Sequence, residues 1–260
     1  VDYNRAMISC LMITQASRLA LAKLAIGDFA VQTHAERELV IIHDGDDGFH
    51  AGLTALAAQV RTAPVRVLRR LPACVLGAAR NASVAAAQGE FVCQWDDDDR
   101  YHPERLALQW RVLNEAKADF SYLCDQLHWF PARGEMYWDD WNREAYPLNV
   151  VQSTLLGRRA RMPRYAELAR GEDTDVLLKI LRQGSAIARV RDAGWSSIYV
   201  YHGSNTFDGA HHAAISRAKA LGQVALLQRE GVLRQRLSEY RPGIGHVRMP
   251  HAGGALEFAG

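Results

Sequence analysis

The chain has 260 residues, 48% of them hydrophobic and 23% charged, with a formal net charge of +2 at pH 7. That composition suits one soluble α/β domain, or two lobes on a shared sheet, and so small a charge excludes bulk attraction to nucleic acid or an anionic membrane. No run approaches the roughly 18 apolar residues of a membrane-spanning helix, and the N-terminus lacks a signal-peptide pattern. The start at Val1 suits an excised domain whose leader, if it had one, is gone. Cys10, Cys74, Cys93 and Cys124 form no C-x-x-C pair, and three of them lie in apolar runs. Reduced buried thiols are expected, and with them a cytoplasmic protein.

In chain order, residues 7–13 read as a buried strand, followed by a helical stretch carrying Leu19, Leu21, Leu24 and Ile26. Residues 39–42 form a second strand that ends in the turn His43-Asp44-Gly45-Asp46-Asp47-Gly48. A helix over about 50–61 leads to a strand at 65–68, then to an Ala-rich helix over 77–88 with Gly89 placed as a left-handed cap. The strand 90–95 runs straight into Asp96-Asp97-Asp98-Asp99. Continuous apolar strands alternating with helices predict a parallel sheet covered on both faces, with ligands at the carboxyl ends of its strands. Asp44 and the aspartate run both fall at such ends. Pro103 suits the first turn of the next helix, with Leu106, Trp110 and Leu113 along one stripe.

Beyond that helix the rhythm changes. Strands are expected at 119–124 and 127–130, an interruption rich in aromatic and acidic residues at 137–141, and a strand at 150–156. A basic loop with Arg158, Arg159, Arg161 and Arg164 follows, then a helix opened by Gly171-Glu172-Asp173 and stopped near Gly184. Strands near 186–190 and 198–201 precede His202-Gly203-Ser204-Asn205-Thr206. A helix of roughly 211–230 and a mobile, Gly-rich tail from Pro242 complete the reading.

Four consecutive aspartates repel one another unless a cation or polar ligand sits among them. Oxygen ligands of this kind suit Mg²⁺ or Mn²⁺, with water and substrate phosphates filling the remaining positions. A solvated turn capping the Pro103 helix is the structural alternative, although capping needs only one or two of the four. Trp138 and Trp141 are either core or lid residues, or a stacking surface for a sugar beside Asp139 and Asp140. The arginines at 158–164 are a solvated face or contacts to an acidic acceptor.

These motifs, in this order, resemble the family 2 glycosyltransferases. The resemblance runs from about Ser9 to Thr206. It rests on the strand ending at Thr14, on Leu39–Gly45, on Gly77-Ala78-Ala79-Arg80-Asn81 leading to Trp95–Asp99, and on Gly171–Asp175 followed by His202–Thr206. The resemblance implies the GT-A fold: α/β, with a Rossmann-like, mostly parallel central sheet flanked by helices and a smaller acceptor-side sheet. It implies a domain over 1–210, nucleotide-binding over 1–110 and acceptor-binding and catalytic over 111–210, with 211–260 as a C-terminal helix and tail.

It also implies an inverting transfer from a nucleotide-diphosphate sugar, a UDP-sugar by expectation, to a glycan or lipid-linked hydroxyl, with Mn²⁺ or Mg²⁺ as cofactor. Thr14, Asp44 and Arg80 would bind the nucleotide, and Asp96 the ribose or donor sugar with Asp97 supporting it. Asp98 and His202 would hold the metal. Asp173 would be the general base, with Glu172 beside it gripping acceptor or donor. The chemistry asks for such parts: a cation to neutralise the diphosphate leaving group and a carboxylate to take the acceptor's proton. His43 departs from the family's usual aspartate and Gln15 from its usual Tyr or Asn, so the contacts to the base are not legible. A nucleotidyltransferase would want a Gly-rich basic loop after the first strand, where Thr14-Gln15-Ala16-Ser17 stands. A non-catalytic nucleotide- or glycan-binding module is the other rival. Leu221, Val224, Leu226 and Leu227 suit either core packing or peripheral membrane association.

Overall fold

The computed structural model describes residues 6–70 and 74–259, so Val1 lies outside it. The order begins β1 (Ile8–Thr14), α1 (Leu19–Ala30), β2 (Arg37–His43), α2 (Asp47–Ala57), β3 (Val65–Arg69), α3 (Leu76–Ala86) and β4 (Phe91–Gln94). It continues through β5 (Arg100–Tyr101), α4 (Arg105–Glu115), β6 (Phe120–Leu123), β7 (Asp125–Phe130), β8 (Glu135–Asp140) and β9 (Leu156–Arg158). Then come α5 (Glu172–Arg182), β10 (Ile187–Val190), β11 (Ser197–Val200), α6 (Gly209–Lys219), α7 (Gln223–Leu227), α8 (Glu230–Leu237), β12 (Val247–His251) and β13 (Gly254–Phe258).

Two sheets result. The first runs β10-β6-β9-β4-β1-β2-β3 and is parallel except for β9, which is antiparallel to both its neighbours. Its strands are apolar on both faces because both are covered. Cys10, Met12, Leu39 and Ile41 face α1, α2 and α4 through Phe29, Leu53 and Leu106. The alternating residues Leu11, Val40, Ile42 and Val92 face α3 and α5 through Ala79, Val176 and Ile180. The second sheet runs β13-β12-β8-β7-β11-β5 and shares a separate core with α7 and α8, built on Trp138, Leu226, Leu233 and Met249. No helix among the described residues is long and apolar enough to cross a membrane.

Several expectations need correction. The tail is not mobile: Val247, Met249, Leu256 and Phe258 are buried in the β12–β13 hairpin, whose alternating apolar residues close the second core. The helix expected over 211–230 breaks into α6, α7 and the start of α8, because Ala220 bridges to Asp139 and the Leu221 amide donates to the Trp138 carbonyl. The segment 137–141 is no interruption but the body of β8, its mixed polarity explained by Trp138 facing the core and Asp139 facing His128. Most of 150–156 is irregular, with a 3₁₀ turn at Gln152–Thr154, and the strand comes later as β9. Gly89 takes no left-handed conformation; a Cβ there would stand 2.6 Å from the Met7 carbonyl, so close backbone approach is what requires glycine.

Gly77 is a second such contact. A Cβ on it would lie 1.8 Å from the Ala166 carbonyl oxygen, and its amide donates to the Leu168 carbonyl at 3.0 Å. The start of α3 is thereby docked on the loop that leads into α5. Gly77→Ala is expected to cost about 3 kcal/mol, the upper range for forced overpacking, measured as a lower urea midpoint. Wild-type stability in that variant contradicts the contact.

Candidate active site

The carboxyl ends of β1, β2 and β4 meet at one edge of the first sheet, bringing Thr14, Asp44 and the aspartate run together. The run is braced from beneath. The buried Trp95 ring stacks on Tyr101 at 3.8 Å, and the Tyr101 hydroxyl accepts from the Asp96 amide at 2.6 Å. Asp28, on α1, takes both ends of the Arg100 guanidinium (2.7 and 3.0 Å) and the Tyr101 amide (2.8 Å). This buried ion pair fixes the chain as it leaves the run.

The four aspartates then part company. Asp96 accepts from Arg80 Nη2 at 3.1 Å, while Arg80 Nε donates to Glu172 at 2.9 Å, so one guanidinium joins the aspartate run to α5. Burial works against the Arg80 charge, but Asp96 and Glu172 outweigh it and raise its pKa. Asp97 accepts from Arg18 Nη1 at 2.9 Å. Burial, reinforced by the Asp98 charge, pushes the Asp97 carboxyl up to about 6. Asp98 Oδ2 accepts from the same Arg18 nitrogen at 3.0 Å and meets His202 Nε2 at 3.1 Å. Burial opposes its ionisation, yet the His202 hydrogen bond and the Arg18 charge hold it below the usual carboxylate range. Asp99 turns inward, where its carboxylate accepts from the Val200 amide and ties β11 to the run; burial pushes its pKa far up.

Two adjoining cavities open here. One, of 220 Å³, is lined by Arg18, Arg80, Asp96, Asp98, Glu172 and Asp173 among others. The second, of 290 Å³, is lined by Thr14, His43, Asp44 and Arg70 and shares Gln15 and Leu76 with the first. Arg80, expected on the floor of a nucleotide site, lines the first of these cavities with its guanidinium committed to two carboxylates. Glu172, expected to grip acceptor or donor, is buried at 3% exposure with its Oε1 held by Arg80, and it lines the same cavity. His43 is taken up by His50, Nε2 to Nδ1 at 2.9 Å. Asp173 sits in the first turn of α5, after Gly171 at φ +76°, and caps the Thr174 amide.

Asp173 also borders a third cavity, of 200 Å³, with Trp141, Gln152, Tyr199, Phe207 and His212 in its wall and neither lysine nor arginine among its lining residues. A fourth, at 660 Å³ the largest of these, lies over α4 around Ala107 and Arg111 and includes none of these site residues. Of the two tryptophans in question, Trp138 is core, its indole donating to Asp125, and Trp141 lines the third cavity with Lys219 over its ring. The basic loop makes local pairs: Arg158 with Glu90, Arg161 with Asp119, Arg164 with Glu167. Leu221 and Leu226 are buried, whereas Val224 and Leu227 are exposed.

The donor set fits a small divalent cation. Adjacent ligands of an octahedral site with bonds near 2.1 Å lie about 3 Å apart, and Asp98 Oδ2 and His202 Nε2 are separated by 3.1 Å. His202 Nδ1 is 2.9 Å from the Ser204 hydroxyl, which can fix the ring with Nε2 turned to a metal. No three His, Cys, Asp or Glu side chains converge among the described residues. Two protein donors with phosphate and water completing the sphere is the usual arrangement for such ions beside a nucleotide.

The chain belongs to glycosyl transferase family 2, whose profile matches residues 18–162. It is similar to the cholesterol galactosyltransferase of Borreliella burgdorferi, 28% identical over 129 residues that make up 48% of this chain. The chain spans about a third of that relative, 33% of its length. Among solved structures, S. aureus TarS 1-349 in complex with UDP-GlcNAc superposes with a TM-score of 0.58 at 17% identity, covering 91% of this chain and 73% of that one. The mannosyltransferase PcManGT of Pyrobaculum calidifontis, in complex with GDP-Man and Mn²⁺, gives a TM-score of 0.60 at 13% identity, over 92% and 74%. Both support the GT-A architecture of this chain.

Proposed function

We propose that the protein is a metal-dependent inverting glycosyltransferase that moves a sugar from a UDP-sugar to a hydroxyl of a glycan or lipid-linked acceptor, as in the synthesis of a surface polysaccharide, at the cytoplasmic side of the cell. The observation that carries this is one cavity lined by both Asp96–Asp98 and Asp173. The nucleotide enters the Thr14–Asp44 cavity, and the diphosphate lies over the aspartate run. TarS holds UDP-GlcNAc and PcManGT holds GDP-Man with Mn²⁺ on this architecture, which supports a nucleotide sugar and a divalent ion.

Asp98 and His202 would hold the ion, which would supply Lewis-acid neutralisation of charge on the departing diphosphate. Asp96, kept in place by Arg80 and Gln94, faces the donor sugar or ribose, and Asp97 supports it. The acceptor hydroxyl enters from the aromatic third cavity and gives its proton to the Asp173 carboxylate as its oxygen bonds to the anomeric carbon. The bond from that carbon to the phosphate oxygen breaks, its electron pair leaves with UDP, and the anomeric centre inverts. Asp98→Ala is expected to lower Mn²⁺-dependent UDP release about 10²–10³-fold, the usual loss of a transition-state charge stabiliser. Full metal-activated release by that variant would sink the assignment. A wild-type protein that binds UDP yet never releases it from any UDP-sugar would be a binding module instead.

A further inference from the structure

The guanidinium of Arg18 is bonded to the carboxylate that would hold a metal ion. Its Nη1 donates to Asp97 Oδ1 at 2.9 Å and to Asp98 Oδ2 at 3.0 Å, and the latter oxygen is the one that meets His202. A cation bound between that oxygen and His202 Nε2 would share Asp98 Oδ2 with Arg18, and two positive charges would crowd one carboxylate. Arg18 comes from the 3₁₀ turn Ala16–Arg18 just after β1 and lines the same cavity as Arg80 and Asp96. At 19% side-chain exposure it lies at the rim and not in the core. Its partners other than the two carboxylates are weak, the Ser204 carbonyl standing at 3.5 Å. A diphosphate arriving over the aspartates would offer this fork a bidentate partner of the kind arginine takes best.

We propose that Arg18 is a resident counter-cation of the aspartate run, handed from Asp97 and Asp98 to the diphosphate when the donor binds, so that it opposes metal binding in the free protein and couples it to the nucleotide. This rests on the metal site of the proposed function. Arg18 then acts as a positioning residue: it keeps the repelling carboxylates together before the donor arrives and becomes a diphosphate ligand afterwards. By linkage, the nucleotide that draws Arg18 away strengthens metal binding, and the metal strengthens nucleotide binding equally.

The test is calorimetric titration of the full chain, wild type against Arg18→Gln, with Mn²⁺ alone and with UDP alone. Loss of charge-assisted hydrogen bonds of this type is worth about a tenfold change in a binding constant. Arg18→Gln is expected to bind Mn²⁺ about tenfold tighter and UDP about tenfold weaker, two shifts in opposite directions. A merely structural Arg18 would weaken both together, and that result, or no change in Mn²⁺ affinity, overturns the hand-over. Arg18→Ala serves as a second variant with the same expected signs should the glutamine variant fold poorly. Mn²⁺ binding by neither wild type nor variant would overturn the metal site itself and the hand-over with it; UDP binding is read separately.

Discussion

Asp173→Asn is expected to lower the single-turnover rate of sugar transfer by about 10²–10⁴-fold, the range for removal of a general base, with donor affinity left near wild type. The substitution is nearly isosteric, and the remaining carbonyl oxygen can still accept from the Thr174 amide at 2.8 Å. The first turn of α5 therefore stays capped, and what disappears is the ability to take a proton. Asp173 is suited to that work because it borders both the cavity of the aspartate run and the aromatic cavity. It also differs from its neighbour, since Glu172 is held by Arg80 whereas no side chain donates a hydrogen bond to Asp173 in the described network. A rate within threefold of wild type at saturating donor, where about 0.6 kcal/mol of barrier would be in play, eliminates Asp173 as the base.

Arg80→Met is the substitution with the largest expected effect on stability. Methionine fills most of the volume but leaves the Glu172 carboxylate, at 3% exposure, and Asp96 without their shared guanidinium. Breaking a buried ion pair from one side costs about 3–5 kcal/mol, because the abandoned charge must be buried alone or protonated. The urea midpoint should fall accordingly, and Glu172→Gln added to Arg80→Met should recover part of the loss. A drop below about 1 kcal/mol is what exposed ion pairs give, and it would show that Arg80 is not the strut between β4 and α5.

The sheet was readable where the physics is local. β1, β2 and β4 are short apolar runs closed by polar turns, and both-face burial is the only setting that tolerates them. The aspartate run was readable because mutual repulsion demands an explanation. Its partition was not: Asp99 looks like its neighbours, and only the Val200 amide, 101 residues on, turns it inward. Arg18 carried no signal at all, since its partners lie 79 and 80 residues away and an arginine at the start of a helix is unremarkable in a sequence. The β12–β13 hairpin did carry one. Val247 and Met249, then Leu256 and Phe258, alternate with exposed residues around a Gly253-Gly254 turn, but five glycines between 243 and 260 masked the period-two pattern. The break between α6 and α7 depends on backbone contacts with β8 and has no counterpart in helix propensity.

The antiparallel strand β9 bears on how this chain comes off the ribosome. Leu156–Arg158 is wedged between β4 and β6, pairing Cys93 with Leu156 on one side and Phe120 with Gly157 on the other. Until residue 158 has been synthesised, β4, apolar at Phe91, Val92 and Cys93, is an edge with nothing beside it but β1. Such an edge is a template for unwanted strand pairing with a neighbouring chain. A nascent protein stalled anywhere between the aspartate run and the basic loop therefore presents an open strand edge, and the parallel run β4-β1-β2-β3 is covered on that side only by a strand that follows α4 in the chain.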